Sequence, residues 1–263
     1  MAMVPLSYSK HSNLGLGELD LRIFADHTNL PVYVHEVSML AVDFPLFLAM
    51  EDDVISIRLL CSVNTDGGCA LIDKDGKWLG RHVPLAIQQH PFSLLPVSEE
   101  RITVCIDENS PRLHPNGQLL FTGSEPSELL NQISENLKRL HQSGRATQAI
   151  LDLLKEKELI IPWEPTVSFQ GKESTLTGLL QIDEAALNRL GDTDWLALKK
   201  VNALGLVYAQ LLSMRNLNTL IILQNSKLVS SRTEDSELSL NLSDDKLELN
   251  FDSDSDSLNF DNF

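Results

Sequence analysis

Trp78, Arg81, His82, His90 and Phe92 are the residues of this chain whose types and spacing come closest to a chemical site. Two imidazoles eight positions apart can hold a ligand or move a proton, because an unperturbed histidine titrates roughly between pH 5 and 8. Arg81 can receive an anion, or simply cover aromatic surface with its aliphatic stem. Trp78 offers a large apolar ring with a single N–H donor. The plainer alternative is a set of partly buried histidines bonded to local carbonyls, since a histidine with a chemical role needs a cleft and a partner. These five are the ligand-binding candidates, and no catalytic residue, metal ligand or cofactor is assigned.

Other chemistries leave no pattern. The chain has no GxSxG elbow, no glycine-rich phosphate loop ending in Lys-Ser/Thr, no HExxH and no dinucleotide fingerprint. Gly15-Leu16-Gly17 lacks a third glycine and a preceding strand. The seven histidines include no pair at i+3 or i+4, which excludes a two-histidine metal face on one helix. Cys61, Cys69 and Cys105 form no CxxC pair and sit in apolar, strand-like surroundings, as reduced core thiols do. The balance leans away from an enzyme.

The candidates need elements to position them. Asp75-Gly76 is a two-residue hairpin signal. Pro84 and Pro91 bracket a short helical turn, Leu85 to His90, because proline presets φ and pushes the residue before it out of the helical region. Around this elbow, Pro31–Val37, Val54–Val63, Cys69–Asp73, Ile102–Ile106 and Gln118–Phe121 read as strands. Ser124 is expected to cap a helix whose face carries Leu129, Leu130, Ile133, Leu137 and Leu140 and which ends near Gly144. A second helix follows over about Ala146 to Glu158. Thr166–Phe169 and Thr177–Ile182 flank a turn at Gln170-Gly171-Lys172. Asp183 caps a short helix, Glu184 to Leu190, and Thr193 a long one to about Arg215. The class expected is α+β: a single domain, β-rich in its N-terminal half and helical in its C-terminal half, followed by a disordered acidic tail. The boundaries are 1–230 for the domain and 231–263 for the tail.

The stretch Asp75 to Leu94, DGKWLGRHVPLAIQQHPFSL, resembles the SapC-like family in its order of an aspartate-glycine turn, a tryptophan, a "VP" step and a "PF" pair. The resemblance covers roughly residues 8 to 220. It takes in HSNL from His11, Leu30-Pro31-Val32, HEVSMLAVDFPLFLAM from His35, CIDENSPRL from Cys105, GQLLF from Gly117, LTGLLQID from Leu176 and LGLVYAQLLSM from Leu204. Gln89 and His90 stand where the family pattern has a basic residue and a tyrosine. The family takes its name from a bacterial surface-layer-associated protein, so the resemblance implies a bacterial protein linked to cell-surface assembly.

With 263 residues, 43% of them hydrophobic, the chain can bury a sizeable core. Its apolar runs fall short of the roughly 18–20 residues of a membrane span. Residues 203–212 come closest and read as a core helix, so no transmembrane segment is expected. The N-terminus shows one lysine and no apolar stretch of a secretory signal, which points to the cytoplasm. The net charge is −16, and residues 231–263 carry ten acids against Arg232 and Lys246, half of the excess. An acidic surface without a basic stripe repels phosphate backbones, so nucleic acid is not an expected ligand.

The tail repeats Leu240-Asn241-Leu242, Leu249-Asn250-Phe251 and Leu258-Asn259-Phe260 at a nine-residue period between Asp/Ser spacers, and closes on Asp261-Asn262-Phe263. Isolated apolar anchors among like charges cannot form a core, so the segment is expected to be disordered alone. A solvating tail needs no such anchors. Three spaced copies suit docking into a protein partner, where repetition adds effective concentration. An acidic C-terminus ending in a hydrophobic residue also resembles some signals for export without a signal peptide. The reading favoured is a non-catalytic binding or adaptor protein whose tail recruits a partner. The alternative is an enzyme, or an accessory subunit, for amino-acid or peptide modification, which the resemblance links to halogenase-like or outer-membrane-receptor systems.

Overall fold

A five-stranded and a three-stranded antiparallel sheet, tied together by one 29-residue helix, are the main parts of the computed structural model, which describes residues 3–64, 68–98 and 101–227 and also holds three small sheets of two or three short strands. The tail expectations, including Leu240, Leu249, Phe251 and Leu258 to Phe263, lie outside the described residues. The class is α+β, with strands concentrated in the first half and helices in the second.

The larger sheet has five strands in the order Ile160–Trp163, Leu179–Ile182, Leu46–Glu51, Val54–Leu60 and Asn29–Pro31. Its centre is the hairpin Leu46–Leu60. Asp52 and Asp53 both take positive φ there, 48° and 65°, which a two-residue turn requires to match the twist of its strands. Ile55, Ile57 and Leu59 alternate onto one buried face, where each aliphatic side chain is worth about 1.5–3 kcal/mol. The smaller sheet places Arg101–Asp107 between Met3–Pro5 and Phe92–Ser98. Gly15 and Gly117 let two backbones cross in direct contact beside it, because a Cβ on either would collide with the other chain. That crossing is the structural role of the Gly15-Leu16-Gly17 sequence.

Two hydrophobic clusters result. The main one gathers Leu46, Leu48, Ile57, Leu59, Ile150, Leu154 and Leu206, and the smaller one Phe92, Ile106, Leu120, Phe121, Leu130 and Leu137. The long helix Glu128–Glu156 belongs to both: Leu130 and Leu137 enter the smaller cluster, Ile150, Leu151 and Leu154 the main one.

Several boundaries differ from expectation for local reasons. The long helix is capped by Ser127, whose Oγ accepts from Leu130 N at 3.2 Å, and Ser124 lies in the preceding hairpin. It runs through Gly144 without a break, since a single glycine costs only about 1 kcal/mol in a helix interior. Ser143 and Thr147 flank that glycine, and Thr147 Oγ1 accepts from Val34 N at 2.8 Å. The strand expected over Pro31–Val37 is not formed: the strand Asn29–Pro31 ends at Pro31, and a turn in which Glu36 Oε1 accepts from Tyr33 N leads into the helix Val37–Leu40. Cys69–Asp73 makes one isolated bridge, Ile72 to Trp78, and no full strand. The helix expected from Thr193 is two, Asp192–Lys200 and Ala203–Lys227, divided by Asn202 in the left-handed conformation at φ 57°. Ala203–Lys227 is, at 25 residues, long and apolar enough to cross a membrane by length and composition. In this fold one of its faces, with Leu206, Val207, Leu217 and Leu220, is buried in the main cluster. Ser127→Ala removes one capping bond and is expected to lower stability by about 1 kcal/mol in urea denaturation; a change below about 0.3 kcal/mol would show the cap to be idle.

Candidate functional site

The Asp75-Gly76 turn closes as a loop around the Asp73 carboxylate, whose Oδ1 accepts from Asp75 N at 3.0 Å and Lys77 N at 2.7 Å. Gly76 supplies the positive φ, 76°. The chain then delivers Trp78 into the main core, 6% exposed, with its ring edge-on to Phe44 at 5.9 Å. Arg81 lies at the surface, 80% exposed, paired with Asp43 at 3.5 Å. A solvated pair of this kind contributes at most about 1 kcal/mol.

His82 meets a partner that motif reading does not isolate. Its Nε2 lies 3.2 Å from Glu36 Oε2, and Glu36 is 0% exposed. The same carboxylate accepts from Leu85 N at 2.8 Å through Oε2 and from Tyr33 N at 3.1 Å through Oε1. Glu36 thus pins the start of the helix Leu85–Gln88 to the turn before Val37. Burial pushes its pKa up, and the two backbone donors and His82 oppose that rise. The sequence signal was a lone glutamate within an apolar run, HEVSML.

His90 leaves the elbow in another direction. Its Nε2 is 2.9 Å from Ser110 Oγ, and its ring stands edge-on to Phe24 at 5.4 Å. Burial lowers the imidazole pKa, with the Asp107 carboxylate pulling the other way. Ser110 is 5% exposed. The segment Asp107–Arg112, part of the CIDENSPRL stretch, is a hub of side-chain contacts. Glu108 Oε1 meets the buried His11 at 2.9 Å, while Arg112 donates to Gly17 O at 2.9 Å through Nε and to His90 O through Nη1. Burial lowers the pKa of Arg112.

Between the elbow and the long helix lies a cleft of about 880 Å³. Leu85, Phe92, Leu129, Ile133, Leu137 and Leu140 give it an apolar floor. Arg112 and Arg139 share its lining with His35 and the amides of Gln89, Asn136 and Gln142; no carboxylate is among its lining residues. Of the five residues singled out from the sequence, Phe92 lines this cleft. Trp78 is in the main core, Arg81 is at the surface, His82 binds Glu36 and His90 binds Ser110. Among the described residues, no group of three or more His, Cys, Asp or Glu side chains is arranged to hold a metal ion.

The sequence pattern of the family described as SapC matches residues 6–220 of this chain, the greater part of its length. The chain belongs to the SapC family. No curated protein and no solved structure matches it. In this SapC-family chain the matched region contains the elbow, the Asp107–Arg112 loop and the whole of the long helix, so every wall of the cleft is built from family sequence. The acidic repeats of residues 231–263 lie beyond the match.

Proposed function

We propose that this SapC-family chain is a non-catalytic binding protein in which the cleft holds a ligand with an apolar body and residues 231–263 recruit a protein partner. The observation that carries the reading is the cleft: an apolar floor of ligand size with a few oriented polar groups at its edge is the usual make-up of a small-molecule site. The tail supplies the adaptor half of the proposal through Leu240, Leu249, Phe251, Leu258 and the terminal Asn259 to Phe263. The chain acts in the cytoplasm on this reading, in service of cell-surface assembly; signal-independent export to the surface is the alternative.

Affinity capture compares the full chain with a Phe251→Ala/Phe260→Ala/Phe263→Ala variant, and each retained protein is then purified and titrated with a synthetic 231–263 peptide. A protein held by the native chain, lost by the variant and bound directly by the peptide is the expected result. Equal retention by both chains overturns the adaptor half. A second reading, an enzyme or accessory subunit acting on an amino acid or peptide, draws on the His90 to Ser110 contact of 2.9 Å. It requires that His82→Ala or His90→Ala abolish a turnover that removal of the tail leaves intact.

A further inference from the structure

We propose that the cleft is a site for an aliphatic carboxylate, with the carboxylate received by Arg112 and the hydrocarbon chain lying along Leu129, Ile133, Leu137 and Leu140. The inference rests on the reading of the cleft as a binding site and names the class of its ligand. Arg112 carries the headgroup argument. A guanidinium has five N–H donors in a planar fork matched to a carboxylate. Here Nε and one Nη1 donor are held by the carbonyls of Gly17 and His90, which fixes the plane of the fork, and Arg112 makes no ion pair among the described residues. The remaining donors are available on a residue that lines the cleft. A half-buried cation oriented by backbone, with no carboxylate of its own, is an incomplete pair that a ligand anion completes.

Charge around it agrees. Arg139 and His35 add positive or protonatable groups to the same lining, and neither aspartate nor glutamate is present in it. Glu135 pairs with Lys138 at 2.7 Å and also feels the Arg139 charge, and with Glu128 it lines a neighbouring pocket shared with Arg139, so among the described residues Arg112 is the cation of the lining that lacks a carboxylate. In a chain of net charge −16 such a lining is a local reversal of sign, and it selects for an anion. The floor argues for the rest of the ligand. Leu129, Ile133, Leu137 and Leu140 follow one helix face over about 16 Å at a rise of 1.5 Å per residue. Phe92 and the His35 imidazole are the rings in the lining, and the apolar side chains beside them are aliphatic. An aliphatic helix face and an arginine held by backbone carbonyls, both in one lining, fit an unbranched chain with a terminal carboxylate.

Isothermal titration calorimetry on the full chain with dodecanoate, dodecanol and a capped leucine-rich peptide bearing a free C-terminus tests this. Dodecanoate is expected to bind more tightly than dodecanol, and Arg112→Gln to weaken dodecanoate about tenfold to hundredfold with little effect on dodecanol. Ile133→Trp, which fills the track from a half-buried position, is expected to weaken both. Equal binding of dodecanoate and dodecanol, both blocked by Ile133→Trp, overturns the carboxylate assignment and leaves the cleft a binding site. Binding of the peptide without dodecanoate also overturns it. Absence of all three overturns the binding-site reading itself. Should Arg112→Gln fail to fold, the acid-to-alcohol ratio in the native chain and in Arg112→Lys decides the matter.

Discussion

Gln210→Leu is expected to destabilise the fold by about 2–5 kcal/mol, although it exchanges one side chain for another of similar size. Gln210 is 0% exposed in the helix Ala203–Lys227, and its amide bridges two neighbouring strands whose ladder is short. Leu46–Glu51 and Leu179–Ile182 are adjacent in the larger sheet, yet their register holds a single pair, Leu180 with Leu48. Where the ladder is missing, Gln210 Oε1 accepts from Ile182 N and its Nε2 donates to Leu46 O, both at 3.2 Å. Ser213 completes the repair by accepting from Leu46 N at 2.9 Å. Leucine leaves a buried N–H and a buried carbonyl without partners, each a penalty of about 1–3 kcal/mol. The check is the urea midpoint of Gln210→Leu beside that of Leu212→Gln, an exposed position on the same helix expected to change stability by less than about 0.5 kcal/mol. Equal midpoints for the two variants would refute the bridging role.

Glu36→Ala is the second large effect, about 2–4 kcal/mol, because it strips the acceptor from the Tyr33 and Leu85 amides and from His82 together. It should also loosen the elbow, since no other side chain accepts from Leu85 N among the described residues. The pH dependence separates the charge from the geometry. Burial raises the Glu36 carboxyl above its ordinary value, so the native state binds this proton more tightly than the unfolded chain does. A group of that kind contributes stability that is fully present below its unfolded pKa and is lost as pH rises through the folded pKa. Glu36→Gln removes the titration. The advantage of the native chain over Glu36→Gln is therefore expected to be greatest at the acid end of that window and to shrink toward neutral pH. A gap that widens with rising pH would mean that His82 and the amides hold the carboxylate ionised against the effect of burial.

What could be read in the chain beforehand followed the strength of local signals. Gln170 and Gly171 take positive φ, 54° and 71°, within the turn expected for them, and Asp183 Oδ1 caps its helix through Ala186 N at 2.9 Å. These depend on one or two residues and little else. Leu46–Glu51 went unrecognised because LFLAME does not alternate: Leu46, Phe47 and Leu48 are all buried, as happens when a strand is covered on both faces. Gly144 and Val201-Asn202 misled in opposite senses, a glycine that tertiary contacts carry through a helix and an ordinary-looking pair at which a helix breaks. For the site, sequence gave Phe92 and the proline-bounded elbow. Arg112 and Glu36 lay hidden, because an arginine between a proline and a leucine, or a glutamate before a valine, announces nothing until residues 22 to 95 positions away are folded against it.

The helix shared by two hydrophobic clusters has a thermodynamic consequence. A rod rooted in two cores couples them, and the end held by the smaller one, with fewer members, is the first expected to exchange its amide protons. A molecule seated along Ile133 and Leu137 rests on the smaller cluster, with Leu16, Phe92 and Leu129 beside it, so its binding energy is available only while that cluster is closed. Mass action then raises the apparent stability of the smaller cluster by RT ln(1 + [L]/Kd) and brings its local opening closer to that of the main one. Occupancy would in that way be written into the cooperativity of the whole protein, without any hinge or lid to move.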